Sequence, residues 1–198
     1  MCYLIELFFQ PLERLLLETT KQMELKNMVA MIARSGRQLQ RYNKGHRQVV
    51  GCIPYRMVKG NKGKSVEDAL EVLVISAQRK GKGMLFPKGG WESDETMIEA
   101  ALRESVEEAG VFGTVECVLG KWHFKSKRNE TMYEGYMFPL LVEEQLDLWP
   151  EKNIRQRYWV SVPKAKEACQ QSWMKEALDL LVKRLESSTT KIDEESIL

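Results

Sequence analysis

No apolar run in the 198-residue chain reaches the roughly 20 residues needed to cross a bilayer, so a membrane span is not expected. The four cysteines, Cys2, Cys52, Cys117 and Cys169, are scattered. They show neither paired metal-ligand spacing nor the dense framework of a secreted disulfide domain, and reduced thiols in an intracellular setting are expected, cytoplasmic first, with mitochondrial or nuclear as the alternatives. The two histidines, His46 and His123, lie too far apart in sequence to suggest a site, and each is read as a surface or strand residue. No internal repeat is visible. Residues 1–25 are largely apolar but carry Glu6, Glu13 and Glu18, with Arg14 the sole basic residue before Lys21. That pattern fits neither the basic start and unbroken apolar run of a signal peptide nor the Arg-rich, acid-poor character of a transit peptide. The segment reads either as an appended amphipathic helix or as the product of an upstream start codon.

What is present is concentrated between Gly89 and Val111, GGWESDETMIEAALRESVEEAGV. The spacing predicts a helix capped by Ser93 or Asp94, with Glu95 placing negative charge at its positive end and Gly110 supplying the left-handed residue that stops it. At about 100° per residue, Glu104, Glu107 and Glu108 share one face, while Ile98, Leu102, Val106 and Ala109 fall on the opposite, core-facing side. Like charges at this spacing cost a helix a few tenths of a kcal/mol per pair. A bound cation reverses that repulsion. With only carboxylates on offer and no His or Cys beside them, the cation expected is hard, Mg2+ or Mn2+. Arg103, eight residues after Glu95, is long enough to reach back and hold the loop against the helix.

The remainder reads as scaffold. Length suits one domain over 28–186, preceded by an extension over 1–27 and followed by a polar tail over 187–198 that is expected to fray. Strands are expected at 48–56, 71–76, 113–124, 131–142 and 157–160, with a tight turn at 81–83 leading through 84–88 to the glycine pair, a helix over 163–186, and Trp122, Trp159 and Trp173 in the core. Strands flanking one internal helix, with another helix at the end, imply a mixed sheet between helical layers. A net charge of +2 conceals a basic stretch from Arg34 to Lys64 ahead of the acidic helix. Such a stretch suits nucleic acid, a membrane surface or a phosphorylated small molecule. Tyr42 and Trp91 are candidates to stack on a base, against packing as the plainer role.

Gly89, then Glu95, then Arg103-Glu104-Ser105-Val106-Glu107-Glu108-Ala109-Gly110-Val111 resemble the signature of the Nudix hydrolases. Ser105 departs from it, standing where the family usually has an aliphatic residue. The resemblance covers about residues 34–186. It implies an α/β fold, an α/β/α sandwich with a mixed, curved sheet between helices, and cleavage of diphosphate linkages with metal held by the helix glutamates. The segments 51–56, 86–92 and 149–159 are similar to plant Nudix proteins related to diphosphoinositol polyphosphate phosphohydrolases, which act on diphosphoinositol polyphosphates and often on diadenosine polyphosphates. Carried over by position, the resemblance implies metal ligands at Glu104 and Glu108, with Gly89 beside them. It implies a catalytic base at Glu107, substrate contacts at Arg41, Arg47 and Arg155, and supporting roles for Glu95 and Arg103.

The chemistry fits these parts. Attack on a phosphoanhydride needs a metal to neutralise phosphate oxygens and acidify a water, and a carboxylate to take the proton. Gly89 and Gly90 let backbone N–H groups approach phosphate closely, and Lys88 adds charge. The expected function is a metal-dependent pyrophosphohydrolase of diphosphoinositol polyphosphates. A hydrolase of diadenosine polyphosphates or other nucleoside diphosphate derivatives is the alternative, and a non-catalytic polyphosphate sensor the second alternative. The expected partner is a small polyphosphate bound by a monomer, with nucleic acid not required, although the basic stretch permits RNA decapping.

Overall fold

The computed structural model describes residues 34, 36–58, 65–78, 83–125 and 130–195. The expected N-terminal extension, the basic turn at 59–64, Gly81-Lys82 and Lys127-Arg128 lie outside the described residues. In chain order the elements are β1 (Tyr42–Asn43), β2 (His46–Met57), α1 (Val66–Ala69), β3 (Leu70–Ser76), β4 (Met84–Leu85), β5 (Lys88–Gly90), α2 (Met97–Ala109), β6 (Val111–Val115), β7 (Gly120–Lys125), β8 (Met132–Gln145), β9 (Arg157–Ser161), α3 (Val162–Ala168) and α4 (Ser172–Glu195).

The sheet is mixed, with a spine ordered β4-β3-β2-β8-β6. Its centre is the parallel pair β2 and β8, in register from Arg47 against Tyr133 to Tyr55 against Leu141. All other strand pairings are antiparallel, including β9 on β3, β5 on β2 and β7 on β8. Alternation along each strand divides the apolar residues between two cores. Val72 and Val74 of β3 point with Ile53 and Met137 toward α3 and α4, where Trp173, Met174, Leu178 and Leu181 cover them. Leu73 and Ile75 point the other way, with Val50, Cys52 and Leu140, toward Ala100, Ala101 and Ala109 of α2. The small alanines let that helix lie close to the sheet; the Cys52 thiol sits 3.5 Å from the Ala101 carbonyl, to which it donates. No described helix is long and apolar enough to cross a membrane.

Four expectations change. The single strand expected over 113–124 is two, β6 and β7, which pair with successive parts of the β8 edge. The gap between them faces Pro139, a residue with no N–H to offer a neighbour. The expected helix over 163–186 is also two, because Cys169 leaves helical geometry to bridge Met84. The tail expected to fray continues as helix through Glu195. Of the three tryptophans assigned to the core only Trp173 is buried; Trp122 and Trp159 are half-buried, the first donating its indole N–H to Glu176 and the second lying beneath Arg56.

Candidate active site

The centre of the site is α2, and its start differs from expectation. Thr96, not Ser93 or Asp94, is the N-cap: its hydroxyl accepts from the Glu99 N–H while the Glu99 carboxylate accepts from the Thr96 N–H. The reciprocal pair satisfies two end groups at once, which a cap at Ser93 or Asp94 would not do. Ser93 and Asp94 instead belong to a loop held from outside. The Arg34 guanidinium pairs with Glu92 at 2.6 Å and Asp94 at 3.0 Å, and Arg41 donates to the carbonyls of Glu92 and Ser93, both at 2.9 Å. Gly110 ends the helix at φ 61°, and Arg157 donates to the last carbonyls, Ala109 and Gly110. Ile98, expected toward the core, is exposed, and Ala100 and Ala101 take that role.

Glu104, Glu107 and Glu108 are 8%, 6% and 6% exposed, so their shared face is an interior wall and not a solvated stripe. Their carboxyls are all lifted above the ordinary range. Burial is the largest cause in each; for Glu104, pushed up to about 8, the neighbouring charge of Glu108 adds to it. Specific donors offset part of this. Arg103 Nη1 reaches Glu104 at 2.7 Å and Glu107 at 3.4 Å, while its other nitrogens grip Glu95 at 2.7 and 2.9 Å and the Gly90 carbonyl at 2.9 Å. One guanidinium thus fastens loop, strand and helix together. Glu108 accepts from the Lys88 N–H at 2.8 Å and from Arg155. Glu107 Oε1 accepts from the Arg34 N–H at 3.3 Å.

Gly89 lies directly against Glu104, where any Cβ would collide with the carboxylate, and a Cβ at Gly90 would collide with Gln40. The missing Cβ at each lets the β5 backbone lie against these side-chain ends. Converging, mutually repelling, all-oxygen groups beside a side-chain-free backbone fit a hard divalent cation.

A cavity of about 850 Å3 opens beside Gly89, lined by Arg47, Lys88, Lys125, Phe124, Tyr133 and Trp173 among others. Of the basic residues expected around substrate, Arg47 and Lys88 are on this wall. Arg41 is not, because the loop carbonyls and the Trp91 ring, 4.5 Å from its guanidinium, engage it. Arg155 is not either: it is buried among Glu108, Glu151 and the Ser76 carbonyl, a charge that compensates carboxylates. The i, i+4 spacing of Glu151 and Arg155 could have revealed that pairing. Tyr42 is exposed, and Trp91 packs edge-on against Tyr136.

Sequence reasoning missed Glu134. This residue of β8 is 2% exposed, with donors converging from three other strands: Asn43, Gln48 at 2.8 Å, Lys121 and His123, plus Tyr136 at 2.6 Å from its own strand. Burial opposes its ionisation, but hydrogen bonds from Tyr136, Gln48, Asn43 and His123 outweigh it and hold the carboxyl down at about 2. No local spacing signals such a cluster, since its members are brought together by strand pairing.

A family model described as NUDIX domain matches residues 46–181. Nudix hydrolase 17, mitochondrial, of Arabidopsis thaliana is 58% identical over 176 residues, 89% of this chain and 96% of that protein. Diphosphoinositol polyphosphate phosphohydrolase 2 of Mus musculus is 32% identical over 123 residues, 61% of this chain and 62% of its own. Among solved structures, a C. elegans Ap4A hydrolase binary complex matches with a TM-score of 0.55 at 20% identity, covering 71% of this chain and 98% of that one, a likeness of fold.

Proposed function

Because the chain belongs to the Nudix family and is a hydrolase acting on phosphoanhydride bonds, we propose that its substrates are diphosphoinositol polyphosphates. What supports this reading is the cavity wall, where Arg47 of β2, Lys88 of β5 and Lys125 of β7 bring cations from three separate segments to one hollow beside Gly89. A fully phosphorylated inositol carries negative charge in every direction and needs cations on several sides, whereas a dinucleotide needs them along its phosphate chain alone. The likeness to the mouse phosphohydrolase is consistent with this class.

In the proposed mechanism Glu104 and Glu108, with Gly89 alongside, would hold Mg2+ or Mn2+. When bound, the ion neutralises phosphate oxygens and lowers the pKa of a water. Glu107 would take a proton from the attacking water. Both donors that reach it, the Arg34 N–H and Arg103, engage Oε1, and among the described residues Oε2 takes no hydrogen bond. Arg103 and Arg155 hold the two ligand carboxylates in place, and the Lys88 N–H fixes the β5 backbone against Glu108.

A second reading, diadenosine polyphosphates, is favoured by the aromatic part of the same wall. Phe124 stacks between Tyr133 and Trp173 at 5.4 and 4.6 Å, an apolar surface suited to a base. The two are separated by kcat/KM on both substrate classes for wild type and Arg47→Ala. The inositol reading expects KM for diphosphoinositols to rise far more than for diadenosine polyphosphates, with the difference shrinking as salt rises. Equal losses on both overturn it.

A further inference from the structure

The face of the sheet opposite the cavity carries a second group with ligand chemistry. His46, His123 and Glu134 each offer one ligand atom, and these atoms all lie within 4.8 Å of one another. The two imidazoles meet edge to face, with ring centres 5.4 Å apart. Each of the three is the immediate strand neighbour of a cavity residue: His46 of Arg47, His123 of Phe124, Glu134 of Tyr133. Since successive strand residues point to opposite faces, the cluster and the cavity are two sides of the same three strand segments.

The Glu134 carboxylate is held asymmetrically. Oε1 accepts the short bonds, 2.6 Å from Tyr136 and 2.8 Å from Gln48. Oε2 is touched at longer range, 3.2 Å by Asn43, 3.2 Å by His123 Nε2 and 3.4 Å by Lys121, whose side chain is 46% exposed and able to swing into solvent. One oxygen is therefore anchored, as outer hydrogen bonds anchor a ligating carboxylate, and the other is held only by the longer contacts. The 3.2 Å from His123 Nε2 to Oε2 is close to the edge of a tetrahedron built on zinc–ligand bonds of about 2.1 Å, which is ~3.4 Å.

We infer that His46, His123 and Glu134 form a binding site for a divalent transition ion of the zinc class, separate from the all-carboxylate site on α2. Two imidazoles and one carboxylate suit zinc, cobalt or nickel and are a poor match for magnesium, which takes oxygen ligands. Lys121 turns outward as the ion enters, and its charge is replaced by the ion's. The bound ion ties the start of β2 to β7 and β8 and stiffens the cavity wall behind them.

The test is titration of the whole chain with Co2+ under saturating Mg2+, followed by visible absorption and calorimetry. One Co2+ per chain is expected, with four-coordinate absorption, displaced by Zn2+. His46→Ala and His123→Ala each weaken it about tenfold or more. His123→Gln, at an exposed position, carries the test if either Ala variant fails to fold. Lys121→Met tightens binding, an effect a purely structural lysine would not show. Glu104→Gln with Glu108→Gln leaves Co2+ binding unchanged. The inference is overturned if no Co2+ binds, if binding survives the histidine substitutions, or if it disappears in the glutamate variant.

Discussion

Glu104, Glu107 and Glu108 on α2 and Glu134 on β8 are all nearly inaccessible to solvent, yet burial leaves them in opposite states. The helix carboxyls are lifted, Glu104 to about 8, whereas Glu134 is held at about 2. Burial penalises the charged form at both places. What differs is the supply of donors relative to acceptors. A helix projects its three carboxylates from one backbone into one space, so Glu107 and Glu108 add to the cost at Glu104, and Arg103, Arg155 and two N–H groups are shared among three acids. A sheet lets side chains from several strands converge on one acid, so Glu134 has a surplus. The helix cluster is thus short of donors, whereas the sheet carboxylate is well supplied.

The sharpest way to break this comparison is at Glu107. If its lifted carboxyl serves as a base, Glu107→Gln keeps the fold and lowers kcat by ~10² to 10⁴. Near-wild-type turnover in steady-state kinetics, with an unchanged melting curve, would remove Glu107 from that role. Next in size is Arg155, whose loss leaves Glu108 and Glu151 facing each other without their shared cation. Arg155→Met is expected to cost about 3–5 kcal/mol of stability in the absence of metal. Urea unfolding with and without Mg2+ or Mn2+ reads this, and part of the loss should return with the ion. A Met variant as stable as wild type in the metal-free state would show that the carboxylates do not depend on Arg155.

Metal addition comes third. A divalent ion at 100 times its Kd should stabilise the wild type by about 2.7 kcal/mol through mass action, and the Glu104→Gln, Glu108→Gln double variant by much less. An equal rise in Tm for both would place the ion elsewhere. The smallest expected effect lies at the helix start. Thr96→Ala removes one half of the capping box and should cost ~1 kcal/mol, read as a shift of the urea midpoint, with metal affinity unchanged because the carboxylates sit two turns further on. A loss of metal affinity in that variant would mean that the cap sets the geometry of the carboxylate face.

Much of the carboxylate helix was legible because its information is local. Residues i, i+3 and i+4 must share a helical face, and a glycine after the last turn stops it at positive φ, so Glu104, Glu107, Glu108 and Gly110 follow from spacing. The strand Glu71-Val72-Leu73-Val74-Ile75-Ser76 follows from a short, continuous, β-branched apolar run, the pattern of a strand buried on both faces. The N-cap was misplaced because Ser93, Asp94 and Thr96 are all capable caps, and what selected Thr96 was Glu99 three residues on, while the loop before it was claimed by Arg34 and Arg41 from distant segments.

Tertiary structure alone decided which charges from distant segments meet. Arg155 lies 47 residues from Glu108, and Arg34 lies 73 from Glu107; nothing in local periodicity links them, and the sheet brings them together. The same holds for His46, His123 and Glu134, which the parallel pairing of β2 with β8 and the antiparallel pairing of β7 with β8 set side by side. Sequence determines what each backbone segment presents on its own face, since that depends on the period of helix or strand. Which faces then confront one another depends on strand order and register, and these are fixed by burying both cores at once.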